Sequence, residues 1–207
     1  MRQTMRRGFT LLEILVALEV LAIFTTALLA FTQGTLTANR VARKQAQLLE
    51  ELKDAAGYLA DTLQEAQRVL SSATVNGSDC QPPTCLAVLL PESGGTCALR
   101  AYRLEARSAV GDDYKSPDPW ADANTRMLRE YRLGGQSCSA TTFSGAQPYV
   151  VLDLVDNDST LAFFQVQTSP TAITLNIRLK AREGGRILFV PGAGQTYRLR
   201  VYPRNTP

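Results

Sequence analysis

The sequence predicts an α+β protein, in which one long N-terminal helix crosses a membrane in its first half and packs on an antiparallel β-sheet in its second. No proline occurs before Pro82, and the chain stays apolar from Phe9 to about Phe31. Beyond that run, Leu48, Leu52, Ala55, Leu59, Leu63, Ala66 and Leu70 recur at steps of three or four residues, which traces one helix face. From Ser71 onward the pattern changes to short strand-like runs separated by glycine and proline.

Residues 1–8 form a short basic leader, with Arg2, Arg6 and Arg7 ahead of Gly8. The apolar stretch that follows, residues 9–33, is long enough to span a bilayer as a helix of about 20 residues. Arginines in front of a span keep that end in the cytoplasm, so everything after it is predicted to be exported. Residues 34–71 are read as the amphipathic half of the same helix. Lys44, Glu50, Lys53, Asp54, Asp61, Glu65 and Arg68 occupy its other sides, and Gly34 and Gly57 are possible weak points. The only carboxylates in the apolar stretch are Glu13 and Glu19. A carboxylate at that depth costs about 2.5–3.5 kcal/mol on insertion scales, so each of them calls for a partner.

Residues 72–207 are read as a β-rich exported domain. Strands are expected at 86–90, 98–106, 126–133, 149–154, 161–167, 172–181, 186–190 and 197–202. The clearest has Ile173, Leu175, Ile177 and Leu179 alternating with Thr174, Asn176, Arg178 and Lys180, which implies one buried and one wet face. Glu183-Gly184-Gly185 is read as a hairpin turn into the next strand, and Ser108 to Asn124 as a surface loop.

The octet Arg6-Arg7-Gly8-Phe9-Thr10-Leu11-Leu12-Glu13, between basic residues and an apolar run, resembles the processing site of type IV pilins and type II secretion pseudopilins. The resemblance implies a pilin-like fold and cleavage after Gly8 by a prepilin peptidase. It also implies methylation of Phe9 as the new N-terminus, with Glu13 as an assembly carboxylate that pairs with the terminal amine of a neighbouring subunit. Glu19 departs from the family's usual charge-free helix and suggests a low-abundance subunit with defined neighbours. The closing run from Tyr197 to Asn205 is similar to that of larger minor pilins and J-type pseudopilins. The implied partners are other pilin subunits, the peptidase and an inner-membrane assembly platform. The implied location is the inner membrane, then a fibre in the periplasm or at the cell surface. Motility or adhesion pili, DNA uptake in competence and type II secretion all remain open. The competing reading is a single-span anchored binding domain that never polymerises. An ordinary signal peptide fits less well, because Ala27-Leu28-Leu29-Ala30 is only a loose cleavage site.

Composition narrows the chemistry. The chain has 207 residues and no histidine, which removes Ser-His-Asp and Cys-His arrangements and every histidine-based metal site. With no phosphate-binding glycine loop either, the expectation is a protein that is not an enzyme. The formal charge is +3, but removing Arg2, Arg6 and Arg7 from the 22 basic side chains leaves 19 against 19 acidic ones. A mature chain so close to neutral lacks the surplus of a general nucleic-acid binder.

The four cysteines, Cys80, Cys85, Cys97 and Cys138, all follow the apolar segment, as expected in an oxidising compartment. Three pairings are possible. The favoured one joins Cys80 to Cys85 around Pro82-Pro83, and Cys97 to Cys138 across the domain; a zinc cluster is the rival. No cofactor is expected. Asp153, Asp156 and Asp158 are weak calcium candidates whose simpler reading is an Asp-Asn turn, and Asp112, Asp113, Asp118 and Asp122 form a second ambiguous acidic set. Arg178, Lys180 and Arg182 share one strand face, and Arg198 and Arg200 another. If those strands were neighbours, they would form a basic stripe for DNA or an acidic protein neighbour, the simpler reading being a solvated face.

Overall fold

The computed structural model describes residues 10–169 and 171–204, and its contacts divide the chain into two units, Met1–Arg43 and Lys44–Pro207. Helix α1 (Leu11–Gln64) begins in the first unit and ends in the second.

In the first unit, every residue from Thr10 to Arg40 is exposed, large apolar side chains included; Leu11 is 79% exposed and Phe31 72%. Five threonine hydroxyls are satisfied within the helix. Thr25, Thr26, Thr32, Thr35 and Thr37 each donate to a carbonyl three or four residues back, at 2.8–3.0 Å. That arrangement suits lipid, where a free hydroxyl would lack a partner. Among the described residues, α1 is the one helix long and apolar enough to cross a membrane.

In the second unit, α1 buries Leu48, Leu52, Ala55, Ala56, Leu59 and Leu63. Its end departs from expectation, since the helix stops at Gln64 rather than reaching Ser71. Ala66 and Leu70 are buried as the periodicity required, but in different cores. The reason is a competing ladder. Gln67 N donates to Leu89 O at 2.8 Å, and β1 (Arg68–Leu70) pairs antiparallel with β4 (Cys85–Pro91).

The remaining elements are β2 (Ala73–Val75), β3 (Ser78–Cys80), β5 (Cys97–Ala106), α2 (Pro119–Asn124), β6 (Thr125–Gln136), β7 (Thr142–Phe143), β8 (Gln147–Asp156), β9 (Phe164–Thr168), β10 (Thr171–Ile177), β11 (Leu179–Glu183), β12 (Arg186–Val190) and β13 (Tyr197–Val201). A seven-stranded antiparallel sheet runs β1-β4-β5-β6-β8-β11-β12. Two three-stranded sheets accompany it, β13-β10-β9 and β3-β2-β7. The α1 stripe packs into one core with Leu86, Val88, Tyr102, Leu128, Leu152 and Ile173, so the fold is α+β and pilin-like, a long helix on a curled antiparallel sheet.

The sheet is not wet on its other face throughout. β4 is buried from Cys85 to Leu90. Leu86 and Val88 face the helix core, whereas Cys85, Ala87 and Leu89 join a second core with Val75, Cys80, Tyr131 and Phe143. The covering layer comes from the short strands β2, β3 and β7. The β2–β3 turn is made by Asn76 (φ 52°) and Gly77 (φ 76°), the left-handed pair that a two-residue hairpin needs.

The run at 172–181 buries Ile173, Leu175, Ile177, Leu179 and Ala181 as predicted, but its other face is not wet, since Ala172 and Asn176 are buried too and Thr174, Arg178 and Lys180 are half-buried. It is not one strand, however. It breaks at Arg178, and its halves join different sheets. The hairpin after it forms as predicted, with Glu183 opposite Arg186.

The segment at 108–124 is more structured than a loop. Arg107–Ala109 and Asp112–Tyr114 are 3₁₀ turns, and α2 follows, capped by Asp118, whose Oδ1 accepts from Trp120 N and Ala121 N at 3.0 Å.

Candidate functional site: the N-terminal segment

Gly8 and Phe9 lie outside the described residues. The described chain starts at Thr10, and Thr10 and Glu13 close the first turn of α1 reciprocally. Thr10 N donates to Glu13 Oε2 at 2.8 Å and the Thr10 hydroxyl to the same oxygen at 3.0 Å, while Glu13 N donates back to Thr10 Oγ1 at 3.3 Å. This is a capping box, Thr-x-x-Glu, and it satisfies amide groups that a helix start leaves open. Cutting the Gly8–Phe9 bond would leave it intact, because its amide belongs to the Phe9–Thr10 peptide. Glu13 Oε1 takes no part in it. Glu19 is exposed, and no hydrogen bond or ion pair engages it among the described residues.

In the second unit, buried charge sits where the strand pattern alone would place an apolar residue. Glu130 on β6 is fully buried. Its carboxylate lies 2.7 and 2.9 Å from the Tyr58 hydroxyl of α1 and 3.2 Å from that of Tyr102 on β5. It also ion-pairs with Arg132 at 2.6 Å and with Arg100 at 3.4 Å. Burial first, and then the Glu130 carboxylate through its hydrogen bonds and charge, raise the pKa of both tyrosines, which keeps them protonated as donors. The network pins the packed half of α1 to the sheet. It borders a cleft of about 490 Å³ lined by Glu51, Asp54, Tyr58, Arg132, Val150 and Leu152. Sequence reading missed Glu130. Its signal is the two-residue alternation of β6, which puts Glu130 on the same side as Leu128.

A second network organises residues 107–122. The Arg107 side chain is 1% exposed and reaches Asp122 at 2.5 Å and Asp153 at 3.0 Å. Lys115 Nζ, also buried, donates to Arg107 O at 2.9 Å and Asp122 at 3.1 Å, with Asp112 3.6 Å away. Hydrogen bonding from Lys115, followed by that from Arg107, holds the Asp122 carboxyl below its ordinary range.

The acidic candidates are therefore engaged by cations. Asp153 belongs to Arg107, and Arg178 bridges Asp156 at 2.6 Å and Asp158 at 2.7 Å. The Asp158 pKa is lowered to about 2, chiefly by the Thr160 hydroxyl and amide, with Arg178 adding to them. A calcium ion at Asp156 and Asp158 would have to displace Arg178. Among the described residues, no group of three or more His, Cys, Asp or Glu side chains is arranged to hold a metal.

The basic residues do not merge into one stripe, because β11 neighbours β8 and β12 whereas β13 pairs with β10. Arg178 and Lys180 are turned to acids, Lys180 Nζ lying 3.7 Å from Asp156. Arg198 donates to Asn176 at 3.2 Å and Arg200 to Gln167 at 2.7 Å, both from exposed positions on β13; Arg182 is exposed on β11.

The favoured cysteine pairing forms. Cys80, the last residue of β3, bonds Cys85, the first of β4, and Cys97 bonds Cys138 across 41 residues. Three of the four cysteines line the second core.

Comparison with protein families matches residues 3–29 to the prokaryotic N-terminal methylation motif. No curated protein and no solved structure matches the chain significantly. The match spans the basic leader, Gly8, Phe9, the Thr10–Glu13 box and the exposed apolar helix as far as Leu29, and over this segment the chain is similar to type IV pilin and pseudopilin precursors.

Proposed function

We propose that this chain is a minor pilin or pseudopilin, a structural subunit of a type IV pilus or a related secretion or DNA-uptake fibre. The observation that carries this reading is the methylation motif set directly on an apolar helix that buries nothing of its own over residues 10–40. The precursor inserts with its leader inside, is cut after Gly8 by the prepilin peptidase and is methylated on Phe9. The assembly platform then draws it out of the inner membrane, and the apolar helices of several subunits cover one another. Glu13 keeps its helix start closed through Oε2 and offers Oε1 to a neighbour's terminal ammonium. The β-rich unit, stapled by two disulfides, is exported and selects neighbours. Its work is assembly rather than catalysis.

Substituting Gly8 by a bulky residue is expected to leave an uncut precursor in the membrane, read by N-terminal sequencing and intact mass. Glu13→Val is expected to be cut normally yet to be depleted from sheared fibres. Wild-type protein that begins at Met1, or fibres that form normally from Glu13→Val, would overturn the reading.

A further inference from the structure

Glu19 is the one feature of the apolar helix that this function does not use. Its helical neighbours at three and four residues are Leu15, Val16, Ala22 and Ile23, none of which can donate a side-chain hydrogen bond. From Phe9 to Asn39 the sequence contains no lysine or arginine. Arg40, the first side-chain cation after it, lies 21 positions further along α1, or about 31 Å at the helical rise. Counted from the start of α1 at Leu11, Glu19 lies about 12 Å along the helix, well inside a hydrocarbon layer some 30 Å thick. A glutamate stem cannot bring its head back to water from there. Its partner must come from another polypeptide.

The sequence also limits what that partner can be. Once processed, a helix of this type carries one cation along its apolar length, the free ammonium at its start. Glu13 and Glu19 both lie on α1, separated by about 9 Å along the axis and by about 120° around it. One neighbour cannot present a single ammonium to both. Glu13 already commits Oε2 to Thr10, whereas neither Glu19 oxygen is engaged within the described residues.

We propose that Glu19 is a second amine acceptor, taking the terminal ammonium of a processed neighbouring subunit displaced about 9 Å along the fibre from the one that Glu13 addresses. This rests on the fibre-subunit reading above. It gives the chain two acidic contacts, on different sides and at different heights, and so defines a position with two specified neighbours. A carboxylate that gains an ammonium in an apolar bundle is stabilised there, whereas one left alone opposes entry.

The sign of a substitution separates these cases. In the native host, Glu19→Leu is expected to be processed after Gly8 like wild type but to fall about tenfold or more in the sheared-fibre fraction, since the neighbour's ammonium loses its counter-charge. Glu19→Gln keeps the shape and removes the charge, and it is expected to fall similarly. A photoreactive residue at Ile23, one turn along the same face, is expected to crosslink to a peptide that begins at a neighbour's methylated N-terminus. Unchanged or increased incorporation of Glu19→Leu, or Ile23 adducts lying away from a neighbour's N-terminus, would overturn the proposal. If wild-type protein is processed but never enters fibres, the parent reading itself fails. If wild type enters fibres and both Glu19 variants match it, only the Glu19 assignment fails.

Discussion

The two halves of α1 are one continuous helix written for two solvents. Over residues 10–40 leucine, isoleucine, valine and phenylalanine point in every direction and all are exposed. Over residues 48–63 apolar residues keep to one stripe, and Leu48, Leu52, Leu59 and Leu63 are each fully buried. The polar groups differ in the same way. In the first half the threonine hydroxyls turn inward to backbone carbonyls, as lipid requires. In the second, Tyr58 reaches out to a buried carboxylate on the sheet. A helix apolar all round needs lipid or other helices, whereas a striped helix needs only its own domain.

Substitutions can break this contrast. The largest effect is expected at Glu130. Glu130→Ala strands Arg132, Arg100 and two tyrosine hydroxyls beside the helix, and it should destabilise the second unit by about 3–5 kcal/mol. Denaturation in detergent, followed by the fluorescence of the single Trp120, would measure it. A loss under about 1 kcal/mol would mean that the network does not pin the helix. Next comes the direct comparison. Leu59→Ala should cost about 2–5 kcal/mol in the same assay, and Leu21→Ala close to nothing. Equal effects at the two positions would erase the distinction between the halves.

The smallest effect is a pH dependence at Asp158. The folded-state pKa of Asp158 is about 2 against an ordinary 3.8, so its contribution is present above about pH 4 and is lost as pH falls toward 2. The melting temperature of wild type should exceed that of Asp158→Asn near pH 6, and the gap should close near pH 2. A gap that widens on acidification would contradict the Thr160 and Arg178 contacts.

Several elements are legible in the sequence. The α1 stripe as far as Leu63, the buried set from Ile173 to Ala181, the Glu183–Arg186 hairpin and both disulfides form where patterning and spacing put them. Other features are not legible there, for identifiable reasons. The end of α1 depends on Gln67 finding Leu89, a partner remote in sequence. The second core depends on strands of two or three residues, too short to show periodicity. The basic stripe, conditional on neighbouring strands, does not form, because β11 and β13 lie in different sheets. Asp122, Asp153, Asp156 and Asp158 are counter-charges for Arg107, Lys115 and Arg178, whereas Asp118 caps α2, assignments that neighbouring residues in sequence could not reveal.

Residue order alone is enough to specify the N-terminal segment of this protein, because a methylation motif, a capping box and an apolar length are all local: each depends on residues within a few turns of one another. Which charges are free and which are engaged is settled only on folding. Whether Glu130, Asp122 or Arg178 meets solvent or a partner is set by strand order and by the ion pairs formed across it, and residues that meet only after folding carry no mark of that meeting in the order of the chain.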